Sequence, residues 1–337
     1  MSFIGRILPA PKAGGFAQED HWVWCGSVIA GEDGGFHMFA SRWPRALPFF
    51  VGYLTHSEVV RASSNTPEGP YTFQEVVLPA RGPEHWDGQM THNPTIRNVG
   101  GTYLLFYIGS TYAGQKPELA EVQRLHRELP QGRECYRNLR IGLATADSVH
   151  GPWTRRDEPV LRPRPGKWDD SVVTNPAPCL RADGSIFLYY RSNTPAGLRI
   201  GLACAQSHCA PFHRVVDDPV LSFPAGHVED PFVWWAEDHY EMIAKDMTSE
   251  ICGEAGAGIH ALSPDGITWA LGDPPKAYSR RVVWDDGTVT EQGVVERPQL
   301  FLQDGRPTHL FAATGDGPGG FDHCTRTWNL VIPLAPA

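Results

Sequence analysis

The chain has 337 residues, a length that accommodates two average domains or one large all-β domain. Its formal net charge is −9, and no cluster of Lys and Arg is present to neutralise phosphates, so we expect no nucleic-acid partner. No stretch approaches the roughly 20 apolar residues that a membrane span requires, and we expect no membrane association.

The N-terminal residues and the cysteines bear on the cellular compartment. The chain reaches Pro9 with a single Arg and no apolar stretch, which does not fit a secretory signal, so we expect a cytoplasmic protein. The seven Cys are odd in number and lack CxxC spacing, which favours reduced thiols over disulfides or a zinc site. No HExxH motif or closely spaced His pair is present, and no metal-ligating residue is predicted.

A repeated segment organises the chain. Four segments place an acidic or amide residue at or just before a Pro, followed by a short apolar run, a Gly-containing turn and an aromatic-rich strand. Their prolines, Pro94, Pro176, Pro231 and Pro298, are separated by 82, 55 and 67 residues. Such periods are typical of a propeller or a solenoid. An earlier segment around Cys25 keeps the pattern without the Pro.

A second repeat identifies a third strand in each unit. The sequence LRIGLA occurs at 139–144 and again at 198–203, an offset of 59 residues, and each copy leads into an aromatic-containing turn. With 35 Gly and 30 Pro supplying turns, each unit holds four short strands. Five such units fill the chain. We therefore predict an all-β fold in which residues 1–337 form one five-bladed β-propeller with four-stranded antiparallel blades around a central channel.

The second unit is longer than the others. Residues 114–138 form a polar insertion in which Leu119, Val122, Leu125 and Leu129 recur at near-helical spacing. We predict a short helix on a loop of blade II. Two interpretations stay open: the insertion rims the functional site, or it is a solvated decoration.

The start of each innermost strand is the place where we predict the functional site. In a propeller these strands border the central channel, so their first residues converge from all blades. The residues at these positions are Cys25, Asn93, Asn175, Asp230 and Arg297. Five convergent polar groups favour a binding or catalytic site. The alternative is that they cap the strand starts and hydrogen-bond between blades.

These repeats resemble the five-bladed β-propeller glycoside hydrolases of family 43, family 117 and the family 32/68 fructan enzymes, over essentially the whole chain. Family 43 enzymes carry a general-base Asp at the start of blade I, a pKa-modulating Asp in blade III and a general-acid Glu in blade IV. The resemblance places Glu229, within Glu-Asp-Pro, at the blade IV position. Blade I instead has Cys25 or Gly26, and blade III has Asn175. The resemblance therefore implies a divergent member whose base has moved or whose chemistry differs.

Hydrolysis of a glycosidic bond needs one protonated carboxyl and a second carboxylate. We predict that Glu229 is the acid, with its pKa raised by burial and by neighbouring carboxylates. The base is open among three aspartates, Asp87, Asp170 and Asp230. We favour Asp87 and Asp170, because each belongs to a repeated Trp-Asp sequence. The two copies stand at the same distance before Asn93 and Asn175. That repeat either reaches the channel mouth or is structural, with Trp packing between blades and Asp capping a turn.

Cations near the predicted channel favour an acidic sugar as substrate. They are Arg191, Lys245 and Arg297. An Arg can bind a carboxylate through two parallel hydrogen bonds, although Arg297 has Glu296 or Glu229 as an alternative partner. The remaining substrate-binding candidates are Trp24, His92, Asn93, Asn175, Asp246 and Glu296. A structural Ca²⁺ ion in the channel is compatible with the resemblance, but the sequence requires no cofactor.

The sequence thus predicts an exo-acting glycoside hydrolase that removes terminal sugars from short oligosaccharides. One alternative is a phosphorylase similar to family 130, which requires a phosphate pocket of Arg, Lys and His. Another is a sugar-binding propeller without catalytic activity. The sequence predicts neither the sugar, the linkage nor the oligomeric state.

Overall fold

The chain folds into five four-stranded antiparallel sheets, which form the predicted propeller. The computed structural model describes residues 2–317 and 319–336. A short strand, β1 (Phe16–Ala17), precedes the first blade. Blade I contains β2 (His21–Ala30), β3 (Phe36–Pro44), β4 (Glu58–Ser64) and β5 (Thr72–Leu78). Blade II contains β6 (Met90–Val99), β7 (Thr102–Ser110), β8 (Arg140–Ala146) and β9 (Thr154–Arg155).

The other blades repeat this order. Blade III contains β10 (Thr174–Leu180), β11 (Ile186–Thr194), β12 (Gly197–Ala205) and β13 (His213–Arg214). Blade IV contains β14 (Val228–Ala236), β15 (His239–Asp246), β16 (Gly258–Ser263) and β17 (Ala270–Tyr278). A hairpin of β18 (Arg281–Val283) and β19 (Val289–Glu291) follows. Blade V contains β20 (Val294–Gln303), β21 (Arg306–Gly315) and β22 (Thr327–Pro333).

The last blade is completed by the beginning of the chain. Strand β1 pairs antiparallel with β22, with Phe16 opposite Asn329. The sequence repeat suggested that every blade takes its four strands from one continuous unit, and blade V departs from this. Pairing β22 with β1 covers an edge strand that would otherwise expose unpaired backbone groups, and it joins the two ends of the ring.

Within the described ranges, three short α-helices interrupt the blades. Helix α1 (Phe49–His56) lies between β3 and β4, and was not predicted. Within the predicted insertion, α2 (Leu119–Leu125) and α3 (Pro130–Arg137) are joined by a 3-10 turn, so residues 114–138 hold two helices rather than one. Helix α3 begins at a Pro, which suits the first helical position because no N–H is needed there. Further 3-10 turns span Phe3–Arg6 and Phe321–His323.

The apolar cores lie mainly between neighbouring blades. One cluster joins blades II and III through buried residues such as Phe106, Ile141, Leu188 and Tyr190. A separate small cluster, built from Leu47, Val51, Val122 and Leu129, packs α1 against the blade II insertion. None of the helices in the described part of the chain has the length and apolar character needed to span a membrane.

Candidate active site

The five residues predicted to start the innermost strands share one backbone conformation. Cys25, Asn93, Asn175, Asp230 and Arg297 have φ between 51° and 58°, the left-handed region that residues other than glycine rarely adopt. Each lies where the pairing between the first two strands of its blade shifts register, as in a β-bulge. These positions are therefore structurally equivalent in all five blades.

Hydrogen bonds connect these five residues across the blades. The Cys25 thiol donates to Asn93 Oδ1 at 2.7 Å, and Asn93 Nδ2 donates to Asn175 Oδ1 at 3.2 Å. Asn175 Nδ2 in turn donates to Asp230, whose other oxygen accepts the backbone N–H of Arg297 at 3.0 Å. The predicted convergence is thus present, and we call these residues the inner ring.

Three carboxylates meet at the inner ring, one of them from the ring itself. Glu229, Asp230 and Glu296 each place one oxygen within 4.8 Å of the others. Asp230 pairs with the guanidinium of Arg297, with 3.6 Å between Oδ1 and Nη1. Two of the three carboxylates come from blade IV and one from blade V.

Two further cations bind this carboxylate group. Arg191 Nη2 lies 3.4 Å from Glu229 Oε2, and Lys245 Nζ lies 3.5 Å from Glu229 Oε1. Lys245 also contacts Glu296, so one ammonium bridges the two glutamates. With Arg297 on Asp230, the three carboxylates are matched by three cations.

The cations decide which glutamate stays ionised. Burial by itself raises the pKa of Glu229, but Lys245 and Arg191 outweigh burial and hold this pKa below its usual value. The expectation of a raised pKa at Glu229 is therefore wrong. Burial raises the pKa of Glu296 to about 6, against the opposing effect of Lys245. Burial and the neighbouring Glu229 raise the pKa of Asp230.

The carboxylates face a pocket of about 260 Å³. Four inner-ring residues line it, together with Glu229 and Glu296. Its wall is aromatic and comes from blades I, II and V. The wall residues are Trp24, Trp43, Phe49, Phe50, Tyr53, Tyr136 and Phe321.

The structure brings most of the predicted site residues together. Those that line the pocket are Trp24, His92, Asn93, Asn175, Arg191, Glu229, Asp230, Glu296 and Arg297. Lys245 lies outside the pocket lining and contacts the two glutamates from a neighbouring cavity. Cys25 is fully buried, and burial raises the pKa of its thiol, as predicted.

Asp87 lies away from the pocket. It is fully buried in blade II and accepts a hydrogen bond of 2.6 Å from the Tyr107 hydroxyl. Arg81 and Arg155 lie 2.6 and 3.4 Å from its oxygens, while Trp86 stacks on Tyr107. Asp87 therefore ties a loop, the second strand and the outer strand of one blade together.

Blade III repeats this arrangement with Asp169, the neighbour of the predicted Asp170. Asp169 accepts from the Tyr190 hydroxyl at 2.8 Å and pairs with Arg164 and Arg214. Asp170 is exposed and does not line the pocket. The expectation that Asp87 or Asp170 reaches the channel mouth is wrong, because the repeated Trp-Asp sequence forms a structural clamp in blades II and III.

Asp246 also has a structural role. Its buried carboxylate accepts the backbone N–H groups of Thr248, Ser249, Ile251 and Cys252, at 2.9 to 3.1 Å. Asp246 does not line the pocket, contrary to its prediction as a substrate-binding residue. It holds the loop that follows β15 and that begins with the pocket residue Met247.

His92 occupies the boundary between the inner ring and the aromatic wall. Its ring stacks on Tyr53 with centroids 4.8 Å apart, and its Nδ1 lies 2.8 Å from the Ser57 hydroxyl. Burial lowers the pKa of His92 to about 3. The imidazole is neutral at ordinary pH and suits hydrogen bonding to a ligand better than proton donation.

Sequence reasoning missed most of the aromatic wall. Phe49, Phe50 and Tyr53 come from α1, whose signal is an aromatic-rich stretch that begins directly after Pro48. Tyr136 belongs to α3, so the insertion does rim the site. Phe321 stacks on Phe49 with centroids 5.1 Å apart, and no sequence signal places it there.

Comparisons with known proteins support the fold. No protein-family model matches the chain, and no curated protein matches its sequence. Among solved structures, BT0996 in an RGII complex has a TM-score of 0.68 at 14% identity, over 99% of this protein and 94% of the solved one.

Two glycoside hydrolases show the same likeness. Zg3597, a family 117 enzyme of the marine bacterium Zobellia galactanivorans, has a TM-score of 0.65 at 14% identity, covering 94% of this chain and 85% of its own. The arabinanase Arb43A of Bacillus subtilis has a TM-score of 0.61 at 15% identity, over 94% of this chain and 95% of the arabinanase. The chain therefore shares the five-bladed fold of these enzymes.

Proposed function

We propose that the protein is a glycoside hydrolase that releases a terminal sugar from a short oligosaccharide. The observation that carries the proposal is the group of Glu229, Asp230 and Glu296 on one pocket, with one glutamate ionised and the other at a pKa of about 6. Carboxyl groups whose environments separate their pKa values are the acid and base that glycoside hydrolysis needs. The shared fold with known glycoside hydrolases agrees with this chemistry.

The shape of the pocket favours a terminal sugar. Its volume of about 260 Å³ is below the roughly 300–1,000 Å³ of sites for drug-sized ligands, and four inner-ring residues line it. A single sugar ring fits such a pocket, whereas an internal residue of a long chain needs a groove open at both ends. The aromatic wall supplies flat faces on which the C–H groups of a sugar can pack.

The charges favour a neutral sugar over the acidic one expected from sequence. Arg191, Lys245 and Arg297 each pair with a carboxylate of the site. A substrate carboxylate therefore has to compete with a protein carboxylate for its cation. The same pairing disfavours a phosphorylase, since phosphate would need cations that the protein does not already neutralise.

We further propose that hydrolysis proceeds without a bound metal ion. A divalent cation prefers oxygen ligands that are free to coordinate it. Each of Glu229, Asp230 and Glu296 already has at least one oxygen in contact with an ammonium or guanidinium group. This donor set does not fit a Ca²⁺ ion in the channel.

A panel of 4-nitrophenyl glycosides, covering neutral pentofuranosides and hexopyranosides and the uronides, tests the function. We expect release of nitrophenol from one neutral glycoside, unchanged by added phosphate or by a chelator. The Glu229→Gln variant should be inactive, and Asp87→Asn, which alters a buried carboxylate outside the pocket, is the matched control.

Three results would contradict the proposal. Sugar binding without turnover indicates a binding propeller. Turnover that requires phosphate indicates a phosphorylase. Equal activity in Glu229→Gln and the control places the chemistry elsewhere in the molecule.

A further inference from the structure

A second cavity lies between α1 and the blade II insertion, outside the carboxylate site. Its volume is about 590 Å³, within the roughly 300–1,000 Å³ of ligand sites. We infer that this cavity binds the second residue of the substrate, the one next to the terminal sugar, and that this residue is a uronic acid. The inference rests on the proposed function and adds to it the chemical class of the sugar that follows the terminal one.

The second cavity adjoins the active-site pocket. Phe50 of α1 and Tyr136 of α3 line both cavities, and their ring centroids are 6.5 Å apart. Phe321 of the active-site pocket stacks on Phe50 with centroids 6.2 Å apart. Arg127 of the second cavity lies over the same Phe50 ring, with Cζ 4.7 Å from its centroid. A substrate whose terminal sugar occupies the pocket therefore has its next residue beside these rings, at the second cavity.

The lining of the second cavity combines apolar and cationic side chains. Leu54 and Leu129 are buried apolar residues of the lining, against which the C–H groups of a sugar can pack. The charged residues are three arginines, Arg127, Arg133 and Arg137, and no acidic residue of the described chain lines the cavity. The lining is therefore complementary to an anion that carries an apolar surface.

The arginines of the second cavity are more accessible than the cations of the active site, which pair with largely buried carboxylates. Arg137 is exposed, and no carboxylate of residues 2–317 and 319–336 forms an ion pair with it. Arg127 pairs with Asp322 and Arg133 with Glu128, but these four side chains are 45% to 74% exposed. Exposed ion pairs contribute little to stability. A ligand carboxylate can therefore bind Arg137 and displace the weak pairs of the other two arginines.

A uronic acid has both properties that the lining requires. Its planar carboxylate can accept two parallel hydrogen bonds from one guanidinium, and the C–H groups of its ring can pack on the leucines and the aromatic rings. The acidic sugar expected from the sequence then belongs one residue beyond the terminal sugar. The terminal sugar itself is neutral, because the cations around it are already paired.

The test compares disaccharides that differ in one charge. In each, the neutral sugar identified in the 4-nitrophenyl panel is joined to galacturonic or glucuronic acid, either as the free acid or as its methyl ester. We expect kcat/KM for the free acid of one uronide to exceed that of its ester by about tenfold. Added NaCl at about 0.5 M should reduce this preference, since the arginines are exposed to solvent.

Substitution of the arginines locates the preference. Arg137→Met should lower the ratio of kcat/KM for acid and ester by about fivefold, and the double variant Arg133→Met/Arg137→Met should bring it to about one. Arg124→Met is the matched control, because Arg124 is an exposed arginine of the same insertion that does not line the cavity. An equal loss in the control would reduce the effect to general charge attraction and overturn the inference.

Binding can be measured without turnover. In ¹H–¹⁵N spectra of the arginine side chains, methyl galacturonoside or methyl glucuronoside should shift the Nε–H signal of Arg137, which is assigned by its absence in Arg137→Met. Methyl galactoside, which lacks the carboxylate, should not shift it. Equal shifts with benzoate would make the cavity a site for apolar acids and overturn the assignment to a sugar.

The outcomes separate this inference from the proposed function. Hydrolysis with equal kcat/KM for acids and esters, or no shift of the Arg137 signal with either uronoside, overturns the uronic-acid site and leaves the proposed function intact. Uronoside binding by a protein that hydrolyses no glycoside overturns the proposed function and leaves the uronic-acid site.

Discussion

Two kinds of buried carboxylate occur in this molecule, and their comparison shows what marks a site. Asp87 in blade II and Glu229 in blade IV each pair with two cations. Asp87 is completely enclosed and bonds a tyrosine of its own blade, whereas Glu229 lines a pocket. Ion pairing is therefore common to structural and candidate catalytic carboxylates, and access to a ligand distinguishes them.

The difference also lies in what each carboxylate connects. Asp87 and Asp169 each join the second and outer strands of one blade to the loop that precedes it, through one arginine of the outer strand and one of the loop. Glu229 and Glu296 come from different blades and share one lysine. A clamp within a blade stabilises the sheet, whereas a group shared between blades sits where the blades converge on the channel.

The largest expected effect is a loss of activity on substitution of Glu229, which distinguishes the candidate catalytic carboxylate from the structural ones. Glu229→Gln keeps the size of the side chain and removes its charge, so the fold should persist while kcat/KM falls by about 10³-fold or more. Steady-state kinetics together with circular dichroism measures both. A loss below about tenfold would place Glu229 with the structural carboxylates.

Substitution of the structural carboxylates should instead lower the free energy of unfolding. Asp87→Asn and Asp169→Asn each leave two arginines beside a neutral amide, and breaking a buried pair costs about 3–5 kcal/mol. We expect denaturant unfolding to show a loss of this size, with kcat of the folded protein within about threefold of wild type. A much larger loss of kcat would show that the clamps also shape the pocket.

The pH profile tests the electrostatics of the two glutamates. If protonated Glu296 is the acid, kcat/KM should decline as pH rises through the Glu296 pKa of about 6. Lys245 lowers the pKa of both glutamates, so Lys245→Met should move this decline to higher pH. An unchanged profile would mean that another group controls the alkaline limb.

The raised pKa of Glu296 also makes the free energy of unfolding depend on pH. The pKa of Glu296 is raised in the folded protein, so its contribution is fully present below the unfolded value of about 4.3 and is lost as pH rises through about 6. In Glu296→Gln the free energy of unfolding should no longer fall in this way between these two pH values. Denaturant titrations at a series of pH values would measure it.

The smallest expected effect concerns the inner ring of blade I. Cys25→Ser retains a donor for Asn93 Oδ1, and the thiol is buried with a raised pKa. We expect activity within about tenfold of wild type and slow modification by iodoacetamide. Rapid inactivation that substrate prevents would instead make the thiol a working group.

The sequence repeat was sufficient to predict the inner ring. Asn93, Asn175, Asp230 and Arg297 stand next to prolines of equivalent segments, and equivalent segments occupy equivalent places in a propeller. The same repeat logic failed for Asp87 and Asp170. A repeat shows that two positions are structurally alike, but it does not show whether they face the channel or the interior of a blade.

The sequence by itself therefore determined the five four-stranded blades and the five equivalent residues of the inner ring, because these depend on local patterns that recur along the chain. Only the tertiary structure decided that Lys245 bridges Glu229 and Glu296, and that Arg191 reaches Glu229. It also decided that Phe49, Tyr136 and Phe321 close one pocket. The physical reason is that pKa values and pocket walls depend on distances between groups far apart in sequence, and the folding of the ring sets those distances.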